Sequence, residues 1–354
     1  MARQKQKYDP TAFSSMSTKP VRKKKLKKLV RKKKLRKAFL VHNEKFKIQE
    51  YQLEYRKRLP FWMKIKMSLN RIRYWHDYFG GNVYVSFSGG KDSQVLLHLV
   101  RRNFPNITAV FFDTGLEYPE IRRTIKSTEN VEIVKPQYTF KEVINKYGWP
   151  IISKRVAQYV SEVRTTKSDI LRKLRMEGID RNGNKKAYAM IPLRWQFLVE
   201  APFDISHKCC TVMKKKPSYD YYKKTGKVPF VGICTDESKQ RELSYLQHGC
   251  FAFHKSREPV SWPISFWTEQ DILRYVHEHD IPLASVYGEV RKREYGYELT
   301  GISSTGCMWC GFGAHMEDRP NRFETMKDDY PKQYRYIMEK LHMNEVLDFI
   351  KIPY

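Results

Sequence analysis

Two sets of residues in this 354-residue chain have types and spacings that do chemistry. The first is Ser88-Gly89-Gly90-Lys91-Asp92-Ser93, set between two apolar runs in NVYVSFSGGKDSQVLLHLV (82–100). Two glycines let a backbone approach an anion without a Cβ clash, Ser88 and Ser93 add hydroxyl donors, and Lys91 adds charge. The pattern reads as a phosphate cradle. It differs from GxxxxGK[ST], because here the glycines directly precede the lysine. The second set is cysteine: Cys209 and Cys210 in SHKCCTVMKKKP, with Cys307 and Cys310 in GCMWCGFG. Four thiolates can ligate zinc or an iron–sulfur cluster. Lys208, Lys214, Lys215 and Lys216 flank the vicinal pair, where their charge would stabilise thiolates, a net-negative cluster or an anionic substrate. Cys234 and Cys250 stand alone and read as buried small hydrophobes.

A phosphate cradle needs a strand leading in and a helix leading out, since a helix N-terminus offers unpaired N–H groups and the positive end of its dipole. The pattern supplies both: a strand over 82–87 and a helix from about 93 to 103. Helical spacing marks 61–79, closed by Gly80-Gly81. Strands are predicted over 107–113, 131–134 and 228–233, with a helix near 118–128. Apolar strands alternating with helices predict an α/β fold whose mostly parallel sheet is covered by helices on both faces. Segment 161–190, with DRNGNKK at its centre, reads as a polar insertion with an exposed turn. Trp195, Phe197 and Phe203 read as core more than as base-stacking groups, and His207 as surface more than as support for the cysteines.

Charge is the compositional outlier. The chain carries 67 Lys and Arg against 38 Asp and Glu, a net +29, and the first fifty residues hold 18 basic and 3 acidic side chains. Residues 21–37, VRKKKLKKLVRKKKLRK, repel one another and find relief against phosphate, which makes nucleic acid the expected partner of this arm. The division expected is a basic arm, partly helical or disordered, over 1–60 and a catalytic domain over 61–354. No run of eighteen apolar residues and no leader-like N-terminus are present, so a cytoplasmic protein without membrane association is expected, and its cysteines are not expected to form disulfides.

The SFSGGKDS stretch resembles the PP-loop of the adenine nucleotide alpha-hydrolase superfamily, a Rossmann-like (HUP) class. FFDTGLEYPE (111–120), GICTDESKQR (232–241) and WPISFWTEQDILRYVHEHDIPLASVY (262–287) are similar, in order, to segments of the phosphoadenosine phosphosulfate reductase family. The resemblance implies an adenine nucleotide, ATP or adenylyl sulfate, held by Ser88, Gly89, Gly90, Lys91, Asp92 and Ser93, with Glu237 and Arg241 in the substrate loop. Arg241 would offer a planar fork to phosphate or sulfate oxygens. Asp113 would meet the adenosine side or Mg2+, or else cap a turn. The vicinal pair plus CxxC resembles the 4Fe–4S ligand set of the adenylyl sulfate reductase branch, which places a cluster ahead of Zn2+.

Two departures bear on activity. Family reductases carry a C-terminal Glu-Cys-Gly whose cysteine attacks the sulfonyl sulfur, and here no cysteine follows Cys310. Cys234 stands where many relatives place an arginine. The reading that results is a cluster-bearing enzyme doing α-phosphate chemistry in sulfur transfer or nucleic-acid modification, with a sulfur or electron donor protein as a further partner. Sulfonucleotide reduction to sulfite is the alternative, and a non-catalytic nucleotide-binding module the second.

Overall fold

Val83, Val85 and Phe87 face one side of a sheet and Tyr84 the other, the period of two that a strand buried on both faces requires. The computed structural model describes residues 47–253 and 257–354; the basic stretch 21–37 lies outside the described residues. Strands β1 (Val83–Ser86), β2 (Ala109–Phe112) and β3 (Val131–Val134) come first, followed by the short β4 (Ile151–Ile152). Then follow β5 (Val228–Val231), β6 (Phe251–Ala252), β7 (Val260–Ser261), β8 (Val290–Arg293), β9 (Gly296–Leu299) and β10 (Gly311–Phe312).

The central sheet runs β3-β2-β1-β5-β7-β6, parallel except for β6. The expected α/β class, mostly parallel, is what the chain adopts. Strand order reverses beside β1, so the carboxyl ends of β1, β2 and β5 flank the crevice where such sheets bind ligands. Helices α1 (Glu50–Lys57), α2 (Phe61–Tyr78), α3 (Lys91–Asn103) and α4 (Pro119–Ser127) precede and surround it. On one face Ile72 and Trp75 of α2 pack with Val95, Leu96 and Leu99 of α3 over Val85 and Phe230. On the other, Tyr221 packs over Tyr84 and Val110.

Three sequence expectations shift. Residues 47–60, assigned to the arm, pack onto the core. Leu53 is 1 % exposed, Ile48 N–H donates to Leu246 O at 3.0 Å, and Lys57 pairs with Asp236 at 2.8 Å. Helix α3 begins at Lys91, because Gly90 in extended geometry serves as its N-cap. Segment 161–190 holds the end of helix Lys154–Thr165 and the helix Asp169–Met176 ahead of the turn at Asp180–Asn184, and apart from Val163, Gly178 and Ala189 its residues are exposed or half-buried.

A second core, built from Ile151, Val160, Met213, Phe323 and Leu347, carries the cysteine segments. The pairing of β4 with β10 anchors the chain just after Cys310, and Met308 N–H donates to Leu116 O at 2.9 Å. Phe203 and Trp195 pack half-buried against this core, beside Phe349 and His315, whereas Phe197 is 43 % exposed with its ring against Phe349. Among the described residues no helix is long and apolar enough to cross a membrane.

Candidate functional site

The cradle is braced from several directions. Gly89 has φ +74°, and a Cβ there would stand 2.8 Å from Ile121 of α4, so only glycine lets the loop fold this closely. Ser93 Oγ donates to Gly90 O at 2.8 Å and accepts from Ser88 N–H at 3.3 Å, which spends that hydroxyl on the loop itself. The hydroxyl of Tyr287 accepts the Lys91 N–H at 3.3 Å and bonds Thr305 Oγ1 at 2.7 Å. A Cβ on Gly232 would lie 2.9 Å from Asp92 O, so the chain leaving β5 runs against the first turn of α3.

The expected site residues fall into separate groups. Lys91 is 6 % exposed, donates to Ser303 O at 2.8 Å and approaches Glu269 at 3.4 Å. Its ammonium therefore fastens the 303–305 segment to the cradle. Asp92 lies 3.8 Å from the Cys234 sulfur. Burial pushes its carboxyl above the usual range, with Lys91 and Arg241 pulling the other way. Arg241 pairs with Glu237, and Glu237 Oε1 also accepts the Cys234 N–H at 3.4 Å. Asp113 is held in a fork by Arg122 at 2.9 and 3.1 Å and accepts the Gly115 N–H at 3.0 Å. It caps the turn of the Asp-Thr-Gly segment, and both oxygens are engaged. Cys234 and Cys250 are buried as expected, and burial raises the Cys234 thiol well above its usual value.

Beyond the strand ends opens a cavity of 720 Å³. Ser86, Phe87 and Ser88 contribute from β1 and the cradle, Phe112 from β2, and Val231 and Ile233 from β5. Trp262 continues the apolar wall, while Lys214, Lys215, Lys216 and Arg257 form the cationic one. An apolar half and a cationic half suit a purine attached to an anionic chain. Glu117 lies in the same wall. Its Oε1 accepts from Thr114 at 2.7 Å and stands 3.9 Å from Lys214, while its buried Oε2 has no hydrogen-bond partner.

The vicinal pair Cys209–Cys210 directly precedes Thr211 and Lys214 of this cavity's wall. Burial raises the Cys209 thiol, and Cys210, Cys307 and Cys310 raise it further. Cys310 is pushed up to about 11, mainly by burial. Burial opposes the charge of Lys214, yet Cys307 and Glu117 hold it above the usual ammonium value. Among the described residues no three His, Cys, Asp or Glu side chains stand close enough to hold a metal ion. Burial lowers the His207 value, and its Nδ1 is buried without a partner.

Sequence reasoning missed Glu117, Tyr287, Thr305, Arg257 and Trp262. Glu117 lies inside the FFDTGLEYPE segment and Tyr287 ends the WPISFW segment, so position offered a signal. Arg257 and Thr305 offered none.

The profile of the phosphoadenosine phosphosulfate reductase domain matches residues 82–179 and 156–311. The adenosine 5'-phosphosulfate reductase of Lysinibacillus sphaericus is 22 % identical over 244 residues, 69 % of this chain and 79 % of that protein. Its counterpart in Staphylococcus haemolyticus is 22 % identical over 239 residues, 66 % of this chain and 71 % of that one. A phosphoadenylyl-sulfate reductase from Candida auris, solved as a phosphate complex, aligns with a TM-score of 0.36 and 14 % identity over 71 % of this chain and 98 % of its own. With a domain profile that spans the cradle, the cavity and both cysteine segments, this chain belongs to the phosphoadenosine phosphosulfate reductase family.

Proposed function

We propose that the chain is a cytoplasmic enzyme that binds an adenine nucleotide, ATP or adenylyl sulfate, in the 720 Å³ cavity and breaks a bond at its α-phosphate. The observation that carries this reading is that cavity: cradle at one end, aromatic and aliphatic wall on one side, three consecutive lysines on the other. The base would lie along Phe112, Val231 and Trp262, with the anionic chain between Ser88 and Lys214–Lys216. An acceptor oxygen attacking the α-phosphorus of ATP forms one P–O bond as the bond to pyrophosphate breaks. The lysines would offset the charge gathering on the leaving group. Lys91, Asp113 and Arg122 act as positioning residues, fixing the loops that flank the nucleotide, and Asp92, Glu237 and Arg241 set the charge behind the cradle.

Two absent groups fit residues present here. Mg2+ would be held by Glu117, whose Oε2 is unsatisfied, and not by Asp113, whose oxygens are taken. It would offset phosphate charge. Cys209, Cys210, Cys307 and Cys310 would hold a 4Fe–4S cluster, supplying local charge or an electron. A tetrahedral zinc draws its sulfurs to about 2.3 Å from a shared centre, a tighter convergence than a cubane needs. The basic run Lys214–Lys216 close to the vicinal pair in sequence is what supports the more negative of the two, the cluster. Residues 21–37 would bring a nucleic-acid acceptor, and a sulfur or electron donor protein would complete the cycle.

Sulfonucleotide reduction is the second reading, favoured by the two adenosine 5'-phosphosulfate reductases among the relatives. The thiol that attacks the sulfonyl sulfur in family reductases is not found among residues 311–354. Anaerobically purified protein offered ATP, adenylyl sulfate and phosphoadenylyl sulfate separately, with thioredoxin and reductant, decides between them. AMP and pyrophosphate from ATP without sulfite carry the first reading; sulfite carries the second. No turnover of any of the three defeats both.

A further inference from the structure

We propose that a groove beside the nucleotide cavity binds single-stranded nucleic acid. Two cavities, of 730 and 330 Å³, share Gly115, Leu116, Arg122, Trp309 and Gln333 in their walls and so form one continuous groove past the CxxC segment. Its floor and sides present the rings of Tyr138, Trp309 and Tyr336. Trp309 and Tyr336 lie 5.4 Å apart at 32°, and the buried indole N–H of Trp309 has no hydrogen-bond partner. Around the rings stand Lys126, Lys135, Lys141 and Lys332. Arg122 and Arg123 in the same walls are paired with Asp113 and Glu120, whereas these four lysines enter no salt bridge among the described residues.

Aromatic faces interleaved with uncompensated cations are what an unpaired strand needs: bases stack on rings and the lysines track phosphates. A duplex hides its base faces and gains only the charge term. Complementarity of charge favours the same occupant, because the lysines around the rings have no acidic partner among the described residues and a strand's phosphates supply one. Glu117 belongs to the walls of both the groove and the nucleotide cavity, so a strand lying in the groove passes the partition between them. The inference rests on the nucleotide reading only for what the strand would meet there; binding itself stands apart from it.

The test uses the full chain and a fluorescein-labelled oligothymidylate, with a 5-iodouracil version for photo-crosslinking. The double variant Lys135→Glu, Lys332→Glu is expected to bind at least about tenfold more weakly, with a salt slope shallower by about two. Tyr336→Ala is expected to weaken binding with the slope unchanged. Crosslinks are expected at Tyr138, Trp309 or Tyr336, and should persist when Lys23, Lys24 and Lys25 of the arm are replaced by Glu. Unchanged affinity in the double variant, or crosslinks confined to residues 1–46, overturns the proposal. Calorimetric titration of the same proteins with ATP separates the two readings. Oligonucleotide binding that depends on the lysines while ATP fails to bind supports the groove and defeats the nucleotide cavity; ATP binding with a silent groove does the reverse.

Discussion

The hydroxyl of Tyr287 receives the N–H of Lys91 at 3.3 Å, so the last residue of a segment nearly two hundred positions away closes the first turn of the cradle helix. Burial keeps this phenol protonated by raising its value, with Thr305 and the Lys91 N–H working the other way. Tyr287→Phe removes the acceptor and strands a buried N–H, a cost of about 1–3 kcal/mol. The expected result is a lower unfolding midpoint and ATP affinity weaker by about tenfold, read by thermal unfolding and calorimetry. Wild-type values of both would show that the contact is idle.

Glu117 and Asp113 should separate under magnesium. Glu117→Gln is expected to reduce Mg-ATP binding by roughly tenfold while leaving Mg-free binding near wild type, since its free oxygen is the one available to an ion. Asp113→Asn breaks the fork with Arg122 and should cost about 1–3 kcal/mol of stability with magnesium dependence intact. Titration of both variants with and without magnesium checks the pair, and the opposite pattern would return the ion to Asp113.

Anaerobically isolated protein is expected to carry about four irons and four labile sulfides per chain. Cys209→Ser or Cys307→Ser should lose most of that iron along with the visible absorbance. One zinc per chain, unchanged by air, would assign the thiols to a structural ion instead.

His98 gives a pH dependence remote from the cysteines. Burial lowers its value, helped by His279 and Arg102, and its Nδ1 lies 2.9 Å from the Tyr275 hydroxyl. The unfolded chain protonates this ring near the ordinary value of about 6.5, the folded chain only at lower pH. Stability from the neutral ring is therefore whole above about pH 6.5 and is lost as pH falls through the lowered folded value. The unfolding midpoint should drop between pH 7 and pH 5, and His98→Gln should flatten that drop. Parallel curves for the two proteins would remove His98 as the cause.

The sheet was legible because β1, β2, β3 and β5 are apolar runs bounded by turn residues, and local pattern is what sets them. The cradle was legible because its two glycines and serines are contiguous. What stayed hidden depends on long-range packing. Nothing in the local sequence says that Lys91 reaches Ser303, or that Arg122 takes both oxygens of Asp113. Helix Asp169–Met176 escaped notice for another reason: Ile170, Leu171 and Leu174 recur at helical spacing, but the polar DRNGNKK stretch beside them set the reading of the whole segment. The inward packing of 47–60 was masked by neighbouring charge, although Leu53 is the residue that pins it.

The pairing of β1 with β5 joins Val83 to Val228, about 145 residues further along. A ribosome adding about 5–20 residues per second leaves β1 without that neighbour for on the order of ten seconds. During this interval β1 can pair only with β2, and its other edge is unpaired while the glycine-rich turn rests on α4 alone. Gly232, which lies against Asp92, arrives next, and Tyr287 and Ser303, which hold Lys91, arrive later still. The anion cradle is thus encoded early in the chain and completed late in its synthesis.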